Sequence, residues 1–170
     1  MLTPEANIIL IGMPGSGKST VGVVLAKLLV RDFVDTDLLI QRRAGRPLQE
    51  IVDADGYLAL RTIEEQTICA LECRGKVIAT GGSVPYGERA MRHLKAHGTV
   101  VFLDVDLQTI ARRIGDHATR GLAKRPGQSL SDLFHERAAL YRRYADLTLA
   151  ASAPGQEQVA AMVAEQLTTV

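Results

Sequence analysis

Short apolar runs alternate along this chain with stretches in which apolar residues recur at helical spacing. Asn7-Ile8-Ile9-Leu10-Ile11 is continuously apolar after its first residue, the pattern of a strand buried on both faces. Residues 20–29 carry the helical period and predict the first helix. Asp32-Phe33-Val34-Asp35 predicts a second, short strand. Helices are predicted over 37–43, broken at Gly45-Arg46-Pro47, over 48–54, stopped near Asp55-Gly56, and over 57–73, ending at Arg74-Gly75. Lys76-Val77-Ile78-Ala79-Thr80 predicts a third strand, closed by Gly81-Gly82. A helix over 88–96, a strand over 99–104 and a helix over 107–114 follow. Periodicity then fails over 117–128, where Gly121, Pro126 and Gly127 stand among His117, Arg120, Lys124 and Arg125. Such a segment in a compact domain predicts a mobile lid that orders over its ligands. Ser129 is placed to cap a helix over 129–144, Leu147-Thr148-Leu149 predicts a fifth strand, and 156–167 the last helix. Strands separated by helices imply a parallel α/β sheet covered on both faces, with ligands at the carboxyl ends of the strands.

Composition narrows the function classes. With 170 residues, 46% hydrophobic and 23% charged, the chain reads as one globular domain, 1–170, with a real core. A net charge of +1 supplies no field for nucleic acid or a membrane surface, and no apolar run approaches a membrane span. Glu5 stands where a signal peptide would be basic, so a cytoplasmic protein is expected. Cys69 and Cys73, four apart on the predicted helix, share a face and read as reduced thiols near the core. His93 and His97 have the same spacing, but with no third ligand they read as a solvated helix face.

The chemistry begins at Gly12-Met13-Pro14-Gly15-Ser16-Gly17-Lys18-Ser19, which fits G-x-x-x-x-G-K-S/T between a strand and a helix. Glycines here let backbone N–H groups turn onto a β-phosphate, and the helix N-terminus adds partial positive charge. Lys18 is expected to reach the β- and γ-phosphates of a nucleoside triphosphate, and the Ser19 hydroxyl to ligate Mg²⁺. Asp35-Thr36-Asp37 lies at the end of strand two beside that loop. One carboxylate there suits Mg²⁺ through water and the other a substrate hydroxyl, while a helix N-cap is the plainer use of the pair. Arg61 and Glu64 sit three apart on a helix, the spacing of a surface ion pair. Thr80-Gly81-Gly82-Ser83 is either a simple turn or a place where a ligand approaches backbone.

In this order the pieces resemble the shikimate kinase family over nearly the whole chain. They are the phosphate loop, Asp-x-Asp after strand two, Arg61-Thr62-Ile63-Glu64, the glycine turn, a lid arginine, and Glu136-Arg137-Ala138-Ala139-Leu140-Tyr141. The resemblance implies a three-layer fold of the P-loop nucleoside monophosphate kinase type with a five-stranded parallel sheet. It implies ATP-dependent phosphorylation of shikimate to 3-phosphoshikimate, in the aromatic amino-acid route, by a monomer. Acceptor-binding helices would span about 37–73 and a lid about 117–128. By that resemblance Asp37 is the base, and Arg61 and Arg137 hold the substrate carboxylate, with Glu64, Gly81 and Gly82 also at the acceptor. Asp35 and Ser19 serve Mg²⁺. Gly15, Ser16, Gly17, Lys18, Ser19 and Thr20 contact the nucleotide, Arg113 packs on adenine, and the loop around Pro154 closes that pocket. The lid arginine matches Arg120, seven residues after Arg113, with Arg125 in reserve. Two departures surround the acceptor. Gly81-Gly82-Ser83 stands where the family has three glycines, and Arg120-Gly121-Leu122-Ala123 where it has Arg-Pro-Leu-Leu. A kinase of another sugar acid or polyol, such as gluconate, or an ATP-binding switch without transfer, are the alternative readings.

Overall fold

The protein is described by a computed structural model covering residues 3–115 and 122–169. In chain order the elements are β1 (Asn7–Ile11), α1 (Lys18–Leu29), β2 (Phe33–Asp35), α2 (Thr36–Ala44), α3 (Leu48–Asp55), α4 (Tyr57–Cys69) and β3 (Val77–Ala79). A 3₁₀ turn (Val84–Tyr86) leads to α5 (Glu88–His97), β4 (Gly98–Asp104), α6 (Leu107–Gly115), α7 (Leu130–Tyr144), β5 (Leu147–Ala150) and α8 (Gln156–Thr169). The strands form one parallel sheet in the order β2-β3-β1-β4-β5. β1 is central, pairing Ile8 with Val77 on one side and with Thr99 on the other. All five of its residues are buried, which requires helices on both faces of the sheet.

Parallel pairing dictates where the chemistry collects. Each strand ends at the same edge, so β1 runs into the phosphate loop, β2 into the start of α2 and β3 into the Gly81-Gly82 turn, side by side. The main core lies around β1, β4 and the faces of α1, α5, α7 and α8 turned to them. A smaller one, Ile40, Ile51, Leu60 and Ala123, joins α2, α3 and α4 to the chain after the lid.

Two expectations change at the helix predicted over 57–73. α4 ends at Cys69, so Cys73 lies beyond it and the two thiols do not share a helix face. The chain has to leave the helix early to meet the sheet. The buried Asn7 amide donates to the Cys73 carbonyl at 2.8 Å and accepts from the Lys76 N–H at 3.0 Å, aligning the entry to β3. Both cysteines are free and half-buried. Ser129 caps α7 by accepting from the Asp132 N–H at 3.0 Å. Of the predicted lid, 117–121, and Arg120 with it, lie outside the described residues. The part from 122 to 128 is an anchored arm rather than a loose one, with Ala123 buried in the small core and Leu122 packed against the large one. His93 directs Nε2 at the Leu71 carbonyl, 3.0 Å away, and no metal-holding cluster of His, Cys, Asp and Glu occurs among the described residues. No described helix is long and apolar enough to cross a membrane.

Candidate active site

The phosphate loop closes on α1 through Gly17, whose φ of 91° places it in the left-handed region that a side chain disfavours. That turn brings Lys18 across the loop, where Nζ donates to the carbonyls of Gly12 at 2.8 Å and Met13 at 2.9 Å. Burial pulls the Lys18 ammonium down to about 8, partly opposed by Asp37. Arg113, on α6, donates to the Gly15 carbonyl at 3.0 Å and so braces the outer side of the loop. Pro154 is half-buried in the connection from β5 to α8, and the side chain of Gln156 just beyond it lies against Gly17.

The two aspartates after β2 divide their tasks by geometry. Asp35 is the N-cap of α2, its Oδ1 accepting from the Asp37 N–H at 2.9 Å and the Leu38 N–H at 3.4 Å, while Oδ2 accepts from the Ser19 hydroxyl at 2.6 Å. Asp37 does no capping. Its Oδ1 is buried with no hydrogen-bond partner among the described residues. Burial, reinforced by the neighbouring Asp35 charge, pushes the Asp37 carboxyl up to about 6.

A cavity of about 370 Å³ opens between the phosphate loop and α2–α4, lined among others by Lys18, Ser19, Asp37, Glu64, Gly82 and Arg137. The glycine turn is its tightest wall. A β-carbon on Gly81 would collide with Glu64 and lie 2.8 Å from Asp37 Oδ1, and one on Gly82 would lie 2.6 Å from Pro14 and 2.9 Å from Arg137. Ser83 meets no such limit. Its φ of −98° is open to any residue, and its buried hydroxyl donates to Glu64 Oε2. The departure from a third glycine therefore places a donor on Glu64. Tyr141 fixes the same turn from below, its hydroxyl donating to the Gly82 carbonyl at 2.5 Å.

The Arg61–Glu64 ion pair that helical spacing would allow does not form among the described residues. Glu64, 3% exposed, turns inward to Ser83, and Arg61 lies over the Tyr86 ring at 3.5 Å. Arg61 does not line the cavity, whereas Arg137 does. Arg137 is 1% exposed and donates through Nη2 to the Ala123 carbonyl at 2.7 Å, which Arg61 Nη2 approaches at 3.5 Å. The Nε atoms of both arginines are buried without partners among the described residues. Arg125 is engaged elsewhere, paired with Glu136 on α7 at 2.6 Å. Tyr86 and Gln156 have places here that no sequence motif signals, and the partners of Ser83, Glu136 and Tyr141 depend on what the fold sets beside each.

Burial, with Asp37 adding to it, pushes the Glu64 carboxyl up to about 8 from an ordinary 4.5. The folded protein thus holds a proton there through a range in which an unfolded glutamate has lost it. Stability is expected to fall as pH rises from about 4.5 to about 8, with Asp37 adding to the fall at the acid end. Glu64→Gln, which stays neutral, should flatten that decline when urea midpoints are compared at several pH values. An unchanged slope would show that Glu64 titrates as an ordinary carboxylate.

Comparison with known proteins agrees with this geometry. The shikimate kinase family model matches residues 14–168. A shikimate kinase of Thermobifida fusca is 38% identical over 161 residues, covering 94% of this chain and 93% of that protein. One from Pasteurella multocida is 38% identical over 170 residues, covering 98% and 95%. The solved shikimate kinase from Acinetobacter baumannii, in complex with shikimate, superposes with a TM-score of 0.88 at 30% identity, covering 97% of this chain and 94% of that one. A match that runs from the phosphate loop through α7 to α8 leaves one assignment: the chain belongs to the shikimate kinase family.

Proposed function

We infer that this chain transfers the terminal phosphoryl group of ATP to a hydroxyl of shikimate, the reaction named by its family. One observation supports the substrate class above all others. The three buried side-chain polar atoms left without partners among the described residues are Asp37 Oδ1, Arg61 Nε and Arg137 Nε. Leaving such atoms unpaired costs about 1–3 kcal/mol each, which favours a ligand that reaches them, and Asp37 and Arg137 both line the cavity. An acceptor oxygen calls for a hydroxyl, and two guanidinium donors call for a carboxylate. A hydroxylated acid supplies both.

The residues then divide the work. Asp37 accepts a hydrogen bond from the reacting hydroxyl and takes its proton, a task its raised pKa suits. Arg61 and Arg137 hold the carboxylate, since a planar fork matches it. Gly81 and Gly82 keep the wall thin so that the acceptor can lie against backbone. Glu64 shapes the same wall. Lys18, with the N–H groups of Gly15, Ser16, Gly17, Ser19 and Thr20, offsets phosphate charge, and Arg113 and the segment around Pro154 flank the nucleotide base. Ser19 and Asp35 would hold Mg²⁺: a hydroxyl and a carboxylate at 2.6 Å are hard oxygen donors of the type that ion takes. When bound, the ion neutralises charge on the phosphate oxygens. Arg120 serves as the lid arginine. Its competitor Arg125 is held by Glu136, and Arg120 keeps the family's spacing from Arg113.

Asp37→Asn should lower kcat by about a hundredfold or more while ATP affinity stays near wild type, measured by coupled assay and nucleotide titration. Loss of ATP binding with acceptor binding intact would move Asp37 to the metal site.

Arg61→Lys and Arg137→Lys should each raise the KM for shikimate by at least about tenfold, because lysine keeps the charge but cannot form two parallel bonds. The wild type should also discriminate against the methyl ester of shikimate. Equal turnover of acid and ester would remove the carboxylate from the recognition.

Arg120→Ala should cut turnover by about a thousandfold, as for loss of an arginine finger, and Arg125→Ala far less. The reverse order would make Arg125 the lid arginine, and no effect from either would favour an ATP-binding switch.

A further inference from the structure

Arg61 is an unusual cation. It is partly buried, makes no ion pair among the described residues, and keeps its Nε without a partner. What holds it is an aromatic face. Tyr86, at the end of the 3₁₀ turn, places its ring centroid 3.5 Å from Arg61 Cζ and 5.6 Å from Arg137 Cζ. Tyr57 stands further off, at 5.1 Å from Arg61. The Tyr86 hydroxyl donates to Glu136, which also takes Arg125 and Gln128 from the arm that follows the lid.

Stacking differs from an ion pair in a way that matters for binding. A guanidinium lying on a ring is attracted through its face, and its N–H groups, all in the guanidinium plane, stay available. A carboxylate partner would consume those donors and cancel the charge. Had Glu64 paired with Arg61 as the helix spacing suggests, the clamp would already be occupied. Ser83 holds Glu64 away from that role, and Tyr86 takes its place under Arg61. A long, flexible arginine also loses rotamer entropy when a substrate orders it, and a shelf that orders it beforehand removes that cost from binding.

We propose that Tyr86 is a positioning residue of the carboxylate clamp: its ring is the shelf that fixes the Arg61 guanidinium near Arg137 with its Nε unpaired and no carboxylate upon it, and so sets the preference for an acidic acceptor. The proposal rests on the carboxylate reading given above.

The test compares Tyr86→Leu with Tyr86→Phe in the full chain, using shikimate and its methyl ester as acceptors. Loss of a cation–π shelf is expected to raise the KM for shikimate by about two- to thirtyfold in Tyr86→Leu. The KM values for ATP and for the ester should hold steady. Tyr86→Phe, which keeps the ring, should restore most of the discrimination between acid and ester. In an Arg61→Ala background, Tyr86→Leu should add nothing, because the ring acts through that arginine. If Tyr86→Leu lacks a cooperative urea transition, Tyr86→Met serves in its place. Three results would overturn the proposal: equal damage to acid and ester, a phenylalanine variant as impaired as the leucine one, or additivity with Arg61→Ala. A wild type indifferent to acid and ester defeats the carboxylate reading itself. A wild type that discriminates, with a leucine variant that discriminates as well, defeats the role of Tyr86 alone.

Discussion

Charge taken out of water is the constraint on which this structure turns. Lys18, Glu64 and Arg137 are each less than a tenth exposed, and the half-buried Asp37 beside them at the carboxyl edge of one sheet has its Oδ1 out of reach of water. Isolated burial of such groups is costly, so each must find a partner, lose its charge or wait for a ligand. All three outcomes occur. Lys18 finds loop carbonyls, Glu64 is driven toward its neutral form with a serine hydroxyl on it, and Asp37 and the two arginines keep an atom unpaired. The apolar interior around β1 and β4, in which Ile8, Ile9, Leu10, Val100 and Val101 are fully buried, supplies the burial energy that offsets this strain.

The small core beyond the sheet has a second use. Ala123 packs with Ile40, Ile51 and Leu60, and its carbonyl meets Arg137 while its neighbours Arg125 and Gln128 reach Glu136. The stretch after residue 121 is thus tied both to α2–α4 and to α7. The replacement of Leu-Leu by Leu122-Ala123 alters the volume of that tie and leaves its carbonyl in place.

Much of the fold is legible along the chain because it is written in local period. The run Asn7 to Ile11 is apolar on both faces and became the central strand, and Gly15, Gly17 and Lys18 announce the loop through chemistry that tolerates few substitutes. Boundaries were less legible where a distant partner decides them. α4 stops at Cys69, and the chain beyond it is held by Asn7, 66 residues earlier, whose amide donates to the Cys73 carbonyl. Helical spacing placed Arg61 and Glu64 on one face and could not say that each would turn to a different neighbour.

What the sequence determined by itself was the inventory: a phosphate loop, two aspartates after a strand, arginines at family spacing, and strands that could only form a covered parallel sheet. What the tertiary structure alone decided was the division of labour among those residues. Asp35 became the cap and Ser19 partner while Asp37 stayed unpaired, Ser83 went to Glu64, and Tyr86 went under Arg61. The reason is physical. Propensity and period act over a few residues, whereas burial, hydrogen-bond competition and the stacking of a cation on a ring depend on which groups the sheet brings within about 4 Å of each other.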